Sequence, residues 1–143
     1  MLLRALAATW ISVILIVGAP ANAETPEQWV KLLTRIHGGF GSFLPVGIQI
    51  GEDAMKRLNA KPRELTVTFY QGEGTPCPCA ADGVMVAVYA SPGQRKGGVG
   101  LKYTVPMSVM PKLDEVNRTI QDPLARYNAV MAIPDLFTVE AAN

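Results

Sequence analysis

The apolar positions of this chain change their period three times, and each period predicts an element. An uncharged apolar run over residues 5–17 follows Met1, Leu2, Leu3 and Arg4, and is broken by Gly18, Ala19 and Pro20. The run is shorter than the roughly 20 residues a membrane-crossing helix needs. Ala21-Asn22-Ala23 then supplies small residues for a signal peptidase, so residues 1–23 read as a cleaved secretory signal with Glu24 the first residue of the exported protein. Residues 24–143 form the second unit of this division.

Helical spacing takes over next. Thr25-Pro26-Glu27-Gln28 has the form of a capping box with proline in the first turn, and Trp29, Leu32, Leu33 and Ile36 then recur on one face. Gly38-Gly39 should stop this helix at about His37. A second helix is expected from Ser42, with Pro45 in its first turn and Leu44, Ile48, Met55 and Leu58 on its apolar face. Gly47 and Gly51 let a helix, a strand or a ligand approach closely. Leu65, Val67 and Phe69 alternate with Thr66, Thr68 and Tyr70, the period of a half-buried strand. Residues 71–78 are turn chemistry, residues 80–90 suit a buried helix or a buried strand, and residues 99–105 read as a strand. Leu113, Val116 and Ile120 mark a helix begun by Pro111, and Leu124, Tyr127, Val130 and Met131 one begun by Asp122-Pro123. The expected fold is α+β: a single compact domain with a small mixed β-sheet packed against helices.

Charge narrows the partners. The chain has 13 Lys and Arg against 12 Asp and Glu, and only Arg4 lies in the expected signal, so the exported part is neutral. Nucleic-acid binding depends on a basic face that neutralises phosphates, and no such excess exists. A domain of this size can bury a core without disulfides, so the two cysteines point to function.

Candidate chemistry gathers at four residues. His37 is the only histidine, which excludes a two-histidine metal site within one chain. At a helix end it reads equally as a charge opposing the helix dipole or as a site residue. Cys77-Pro78-Cys79 sits between strand and helix patterns. Its readings are a thiolate or ligand site at a helix N-terminus, a labile disulfide closing a very small ring, or inert packing. Asp82, three residues on, can cap the helix or share a cation with Cys79. The Gln94-Arg95-Lys96 loop can hold an anion or simply be solvated, and Met85, Met107, Met110 and Met131 can be soft-metal ligands or core filler.

In order, His37-Gly38-Gly39-Phe40-Gly41-Ser42-Phe43-Leu44, Gly47 and Gly51, Cys79-Ala80-Ala81-Asp82-Gly83 and Ser91-Pro92-Gly93 resemble the core domain of the FmdE family, which takes its name from a component of formylmethanofuran dehydrogenase. The resemblance spans roughly residues 28–102. It implies an α+β core in which His37, Cys79 and Asp82 converge on a metal site. The second histidine of the family pattern is Gly39 here, and no cysteine follows Cys79 to build the C-terminal zinc finger of many relatives. Cys77 is additional and can replace the lost ligand. The resemblance does not imply formylmethanofuran oxidation, since the component that names the family is not the one thought to hold the molybdenum or tungsten chemistry.

The leading expectation is a periplasmic or secreted protein that binds a transition metal (zinc, iron or copper) or haem through His37, Cys77, Cys79 and Asp82. One alternative is a thiol-redox or cysteine-nucleophile protein with Cys79 attacking, His37 as base and Cys77 resolving. Another is a non-catalytic interaction module, a homodimer whose site region is vestigial after loss of the second histidine; the partners expected across these readings are a metal or small-molecule ligand and a second copy of the chain.

Overall fold

A computed structural model describes residues 24–70, 77–90 and 100–142. The expected signal, the turn at 71–76 and the Gln94-Arg95-Lys96 loop lie outside the described residues. The elements run α1 (Pro26–His37), α2 (Phe43–Arg57), α3 (Cys79–Ala87), β1 (Gly100–Thr104), a short 3-10 turn (Met107–Val109), α4 (Met110–Thr119), α5 (Pro123–Met131) and β2 (Thr138–Ala142). The domain is α+β, as expected.

Local signals set the helix ends. The Gln28 amide donates to Thr25 Oγ1 at 3.3 Å and the Thr25 amide to Gln28 Oε1 at 2.6 Å, closing the capping box. Gly38 caps the other end of α1 at φ 87°, a left-handed conformation that glycine adopts without Cβ strain. Asp122 accepts from the Ala125 amide at 2.7 Å and so opens α5 ahead of Pro123.

α2 is the hub. Leu44 and Ile48 face one apolar cluster with Trp29, Leu33, Phe40 and Tyr127, while Val46 and Ile50 face a second with Val109, Leu113, Val130 and Leu136. Leu33, Leu44, Ile48 and Leu113 have no exposed surface, and burial of each contributes about 1.5–3 kcal/mol. Arg126 of α5 donates to the carbonyls of Phe40, Asn117 and Ile120, fixing the turn between α1 and α2 against the end of α4.

The glycines of α2 admit a helix. A Cβ on Gly47 would collide with the Ala80 carbonyl and lie 2.7 Å from the Val84 amide nitrogen, and one on Gly51 would lie 2.7 Å from the Ala87 Cβ. Gly83 of α3 completes the seam, since a Cβ there would collide with the Leu44 carbonyl and sit 2.9 Å from the Gly47 Cα. The two backbones therefore touch directly along this crossing.

Two expectations change. Residues 65–70 form no strand: Leu65 and Val67 are half-buried and Thr66 and Thr68 exposed, but the segment joins no ladder. The alternation is real; a strand also needs a run of ladder hydrogen bonds to a neighbour, and no such run forms here among the described residues. Conversely β2 lies where no strand is expected. It exists by pairing antiparallel with β1, Gly100 opposite Ala142 and Thr104 opposite Thr138, and the described sheet is this two-stranded ribbon and not the mixed sheet expected. Among the methionines, Met110 and Met131 pack against the core clusters and Met107 is exposed.

Candidate functional site

The residues that matter sit where α1, α2 and α3 meet. His37 is the last residue of α1, and the left-handed Gly38 turns the chain away immediately after it. α3 is drawn close to α2 by the glycine seam, which places its first turn beside the end of α1. The result is a contact between residues 45 apart in sequence: His37 Nδ1 lies 2.7 Å from Asp82 Oδ2.

This contact gives His37 a partner and bears on the reading of Asp82. Asp82 is not the cap of α3; the N-cap position is Pro78, with no side-chain cap. Its carboxylate is turned to the imidazole instead. With Nδ1 donating to the carboxylate, the ring is held in one orientation and Nε2 carries the lone pair, the arrangement in which a histidine is prepared as a ligand or base. The pair is reachable from solvent, with the side chains 27% (His37) and 41% (Asp82) exposed.

Cys79 is the first residue of α3 and Asp82 lies one turn further on; residues three apart on a helix have Cβ atoms about 5–6 Å apart. Asp82 thus neighbours both the imidazole and Cys79. The two cysteines are joined as a disulfide, with Cα atoms 5.3 Å apart, and the Cys79 amide donates to Cys77 Sγ at 3.2 Å. Their surroundings differ. Cys79 packs against the cluster of Trp29 and Leu33, whereas Cys77 lines an open cavity of about 1330 Å³ walled by α2, α3, the 65–70 segment and the β1–β2 ribbon.

No three of the His, Cys, Asp and Glu side chains among the described residues stand together as a metal site. The chemistry of the donor set explains this: a sulfur in a disulfide has no thiolate to offer, which leaves His37 and Asp82 as a two-donor beginning.

Periodicity and spacing single out His37 and Asp82 separately and give no local sign that they meet; the family resemblance is what implies their convergence. The nearest signal is the glycine pattern, which requires a close neighbour for α2 without saying which. A second polar link also escapes sequence reasoning: Asp53 of α2 accepts from Arg57 Nε at 2.6 Å and from the Tyr103 hydroxyl of β1 at 2.9 Å. Burial, together with this carboxylate, pushes the Tyr103 hydroxyl pKa well above its usual range.

The architecture is therefore an α+β domain built around a His–Asp pair flanked by a cysteine pair at the start of a helix. Residues 36–103 match the family model described as FmdE, molybdenum formylmethanofuran dehydrogenase operon, and this stretch is an FmdE-family core domain that contains His37, Cys77, Cys79 and Asp82. No match was found among curated proteins or among solved structures.

Proposed function

We propose that this is an exported FmdE-type protein that binds a transition metal ion, or a metal-bearing cofactor such as haem, at His37, Cys79 and Asp82. The observation that carries the proposal is the 2.7 Å contact between His37 Nδ1 and Asp82 Oδ2, which ties the only imidazole of the chain to the first turn of the helix that opens with Cys79. Imidazole, thiolate and carboxylate together suit zinc, iron or copper. Asp82 acts either as a ligand or as the orienting partner of the histidine, a role whose loss typically costs 10–100-fold in metal affinity. Export rests on the sequence of residues 1–23.

The test is metal content and a visible spectrum of anaerobically purified protein, compared with His37→Ala, Cys79→Ala and Asp82→Asn. Stoichiometric metal or a haem band that falls in all three variants, least in Asp82→Asn, is the expected result. Metal content unchanged in Cys79→Ala and His37→Ala would end this reading.

The Cys77–Cys79 disulfide at the start of α3 favours a second reading, thiol–disulfide exchange with Cys79 as nucleophile. It predicts that reduced protein reduces a model disulfide and that Cys79→Ser abolishes the exchange while leaving the fold intact.

A further inference from the structure

We infer that Cys77 is a redox gate on the metal site, holding Cys79 in a disulfide when oxidised and releasing it as a ligand when reduced; this rests on the metal-binding reading above. Three observations lead to it. The cysteines are bonded to each other, so the sulfur of Cys79, one helical turn before Asp82, is blocked. The rest of the site is already assembled in this blocked state, because His37 and Asp82 are in contact. The two sulfurs are also differently placed, Cys77 on the wall of the open cavity and Cys79 against the core cluster.

This asymmetry gives the exchange a direction. An incoming dithiol reductant reaches Cys77 from the cavity. Its thiolate attacks Cys77 Sγ, forming a mixed disulfide and breaking the Cys77–Cys79 bond, and the electron pair of that bond leaves on Cys79 Sγ. Cys79 is the first residue of a nine-residue helix, where the N-terminal dipole stabilises a thiolate leaving group. The second thiol of the reductant then displaces Cys77, so that one dithiol becomes one cyclic disulfide and Cys77 and Cys79 together gain two electrons and two protons. Metal binding at Cys79 afterwards releases the thiol proton, or none where the thiolate has already formed. By linkage the bound metal resists re-oxidation of Cys79 to the same extent that oxidation weakens metal binding.

The experiment titrates Co²⁺ into the full chain as the cell processes it, first as isolated in air and then after reduction with dithiothreitol and desalting under argon. The readouts are affinity and the sulfur-to-cobalt absorption band. Reduction should tighten binding by about 100-fold or more, since a direct ligand is gained and loss of a mere orienting partner already costs 10–100-fold. Monomeric Cys77→Ala should bind without prior reduction, within about tenfold of reduced wild type, and Cys79→Ala should show no sulfur band in either state. Bound Co²⁺ should also slow iodoacetamide labelling of Cys79 in Cys77→Ala. Equal affinity of the oxidised and reduced wild type overturns the gate and removes Cys79 from the ligand set, leaving a metal held by His37 and Asp82. Failure of both reduced wild type and folded Cys77→Ala to bind overturns the metal site and the gate together.

Discussion

α2 meets its neighbours on two sides in ways that could hardly differ more. Toward α3 it presents Gly47 and Gly51, and the two backbones meet with no room for a methyl group. Toward the β1–β2 ribbon and the 65–70 segment it presents Phe43, Ile50 and Ala54 across an open cavity, and the tie is a polar link from Asp53 to Tyr103. The seam holds the chemistry, because its closeness is what brings Asp82 to His37. The cavity side gives access to Cys77. Rigidity is concentrated behind the reactive groups and openness in front of the sulfur that an external reductant would meet.

The sharpest way to break this contrast is to add one carbon to the seam. Gly47→Ala forces its Cβ against the Ala80 carbonyl and within 2.7 Å of the Val84 amide nitrogen, both backbone atoms of the neighbouring helix. Overpacking of this kind costs about 1–3 kcal/mol and more where nothing can yield, so the loss should be about 3 kcal/mol or greater by urea denaturation. Gly39→Ala is the control: a Cβ there meets nothing within 4 Å, and its change should stay within about 0.5 kcal/mol. A Gly47→Ala protein as stable as the control would mean that the helices do not touch here.

The cavity side predicts a smaller effect. Tyr103→Phe removes the hydroxyl that donates to Asp53 at 2.9 Å but keeps the ring, which packs edge-to-face on Phe137 with centroids 5.3 Å apart. Asp53 retains Arg57 as a donor, so no carboxylate is stranded, and the loss should be about 1.5 kcal/mol, the low end for one hydrogen bond to a charged group. A loss as large as that of Gly47→Ala would show the ribbon to be as tightly coupled to α2 as α3 is.

The same contrast explains what can be read from the chain alone. Helices announce themselves locally: Thr25 with Gln28, Asp122 with Pro123, and Gly38 after His37 are all signals within a few residues of the end they set. Strands depend on a partner. Residues 65–70 have the right alternation and no ladder, while Thr138–Ala142 has little alternation and becomes a strand because β1 pairs with it. The site falls between these cases. Its residue types are visible as candidates, but Asp82 has the look of a helix cap until the seam turns it toward an imidazole 45 positions away. The cysteine pairing is one of three readings that spacing leaves open.

A third face of α2, turned to α1 and α5, carries the smallest prediction. Burial raises the pKa of Glu52 above its ordinary 4.5, and a hydrogen-bond contribution from the Trp29 indole only partly offsets this. That contribution is a weak one, because Trp29 Nε1 makes no hydrogen bond of normal geometry. Tyr127, whose pKa is pushed up to about 12 by burial and then by the nearby Glu52 charge, stays protonated at neutral pH. The folded protein therefore holds the Glu52 proton to higher pH than the unfolded chain does. It binds more protons in the window just above pH 4.5, and stability falls as pH rises through that window. Glu52→Gln removes the penalty, so at pH 7 the variant should be more stable than wild type, by the smallest margin of the three substitutions. The advantage should fade toward pH 4, where Glu52 is protonated in both states. A Gln variant less stable at pH 7 would reverse the assignment. It would mean that the indole hydrogen bond to the carboxylate outweighs burial, and that this face of α2 favours a charge that the two apolar faces beside it exclude.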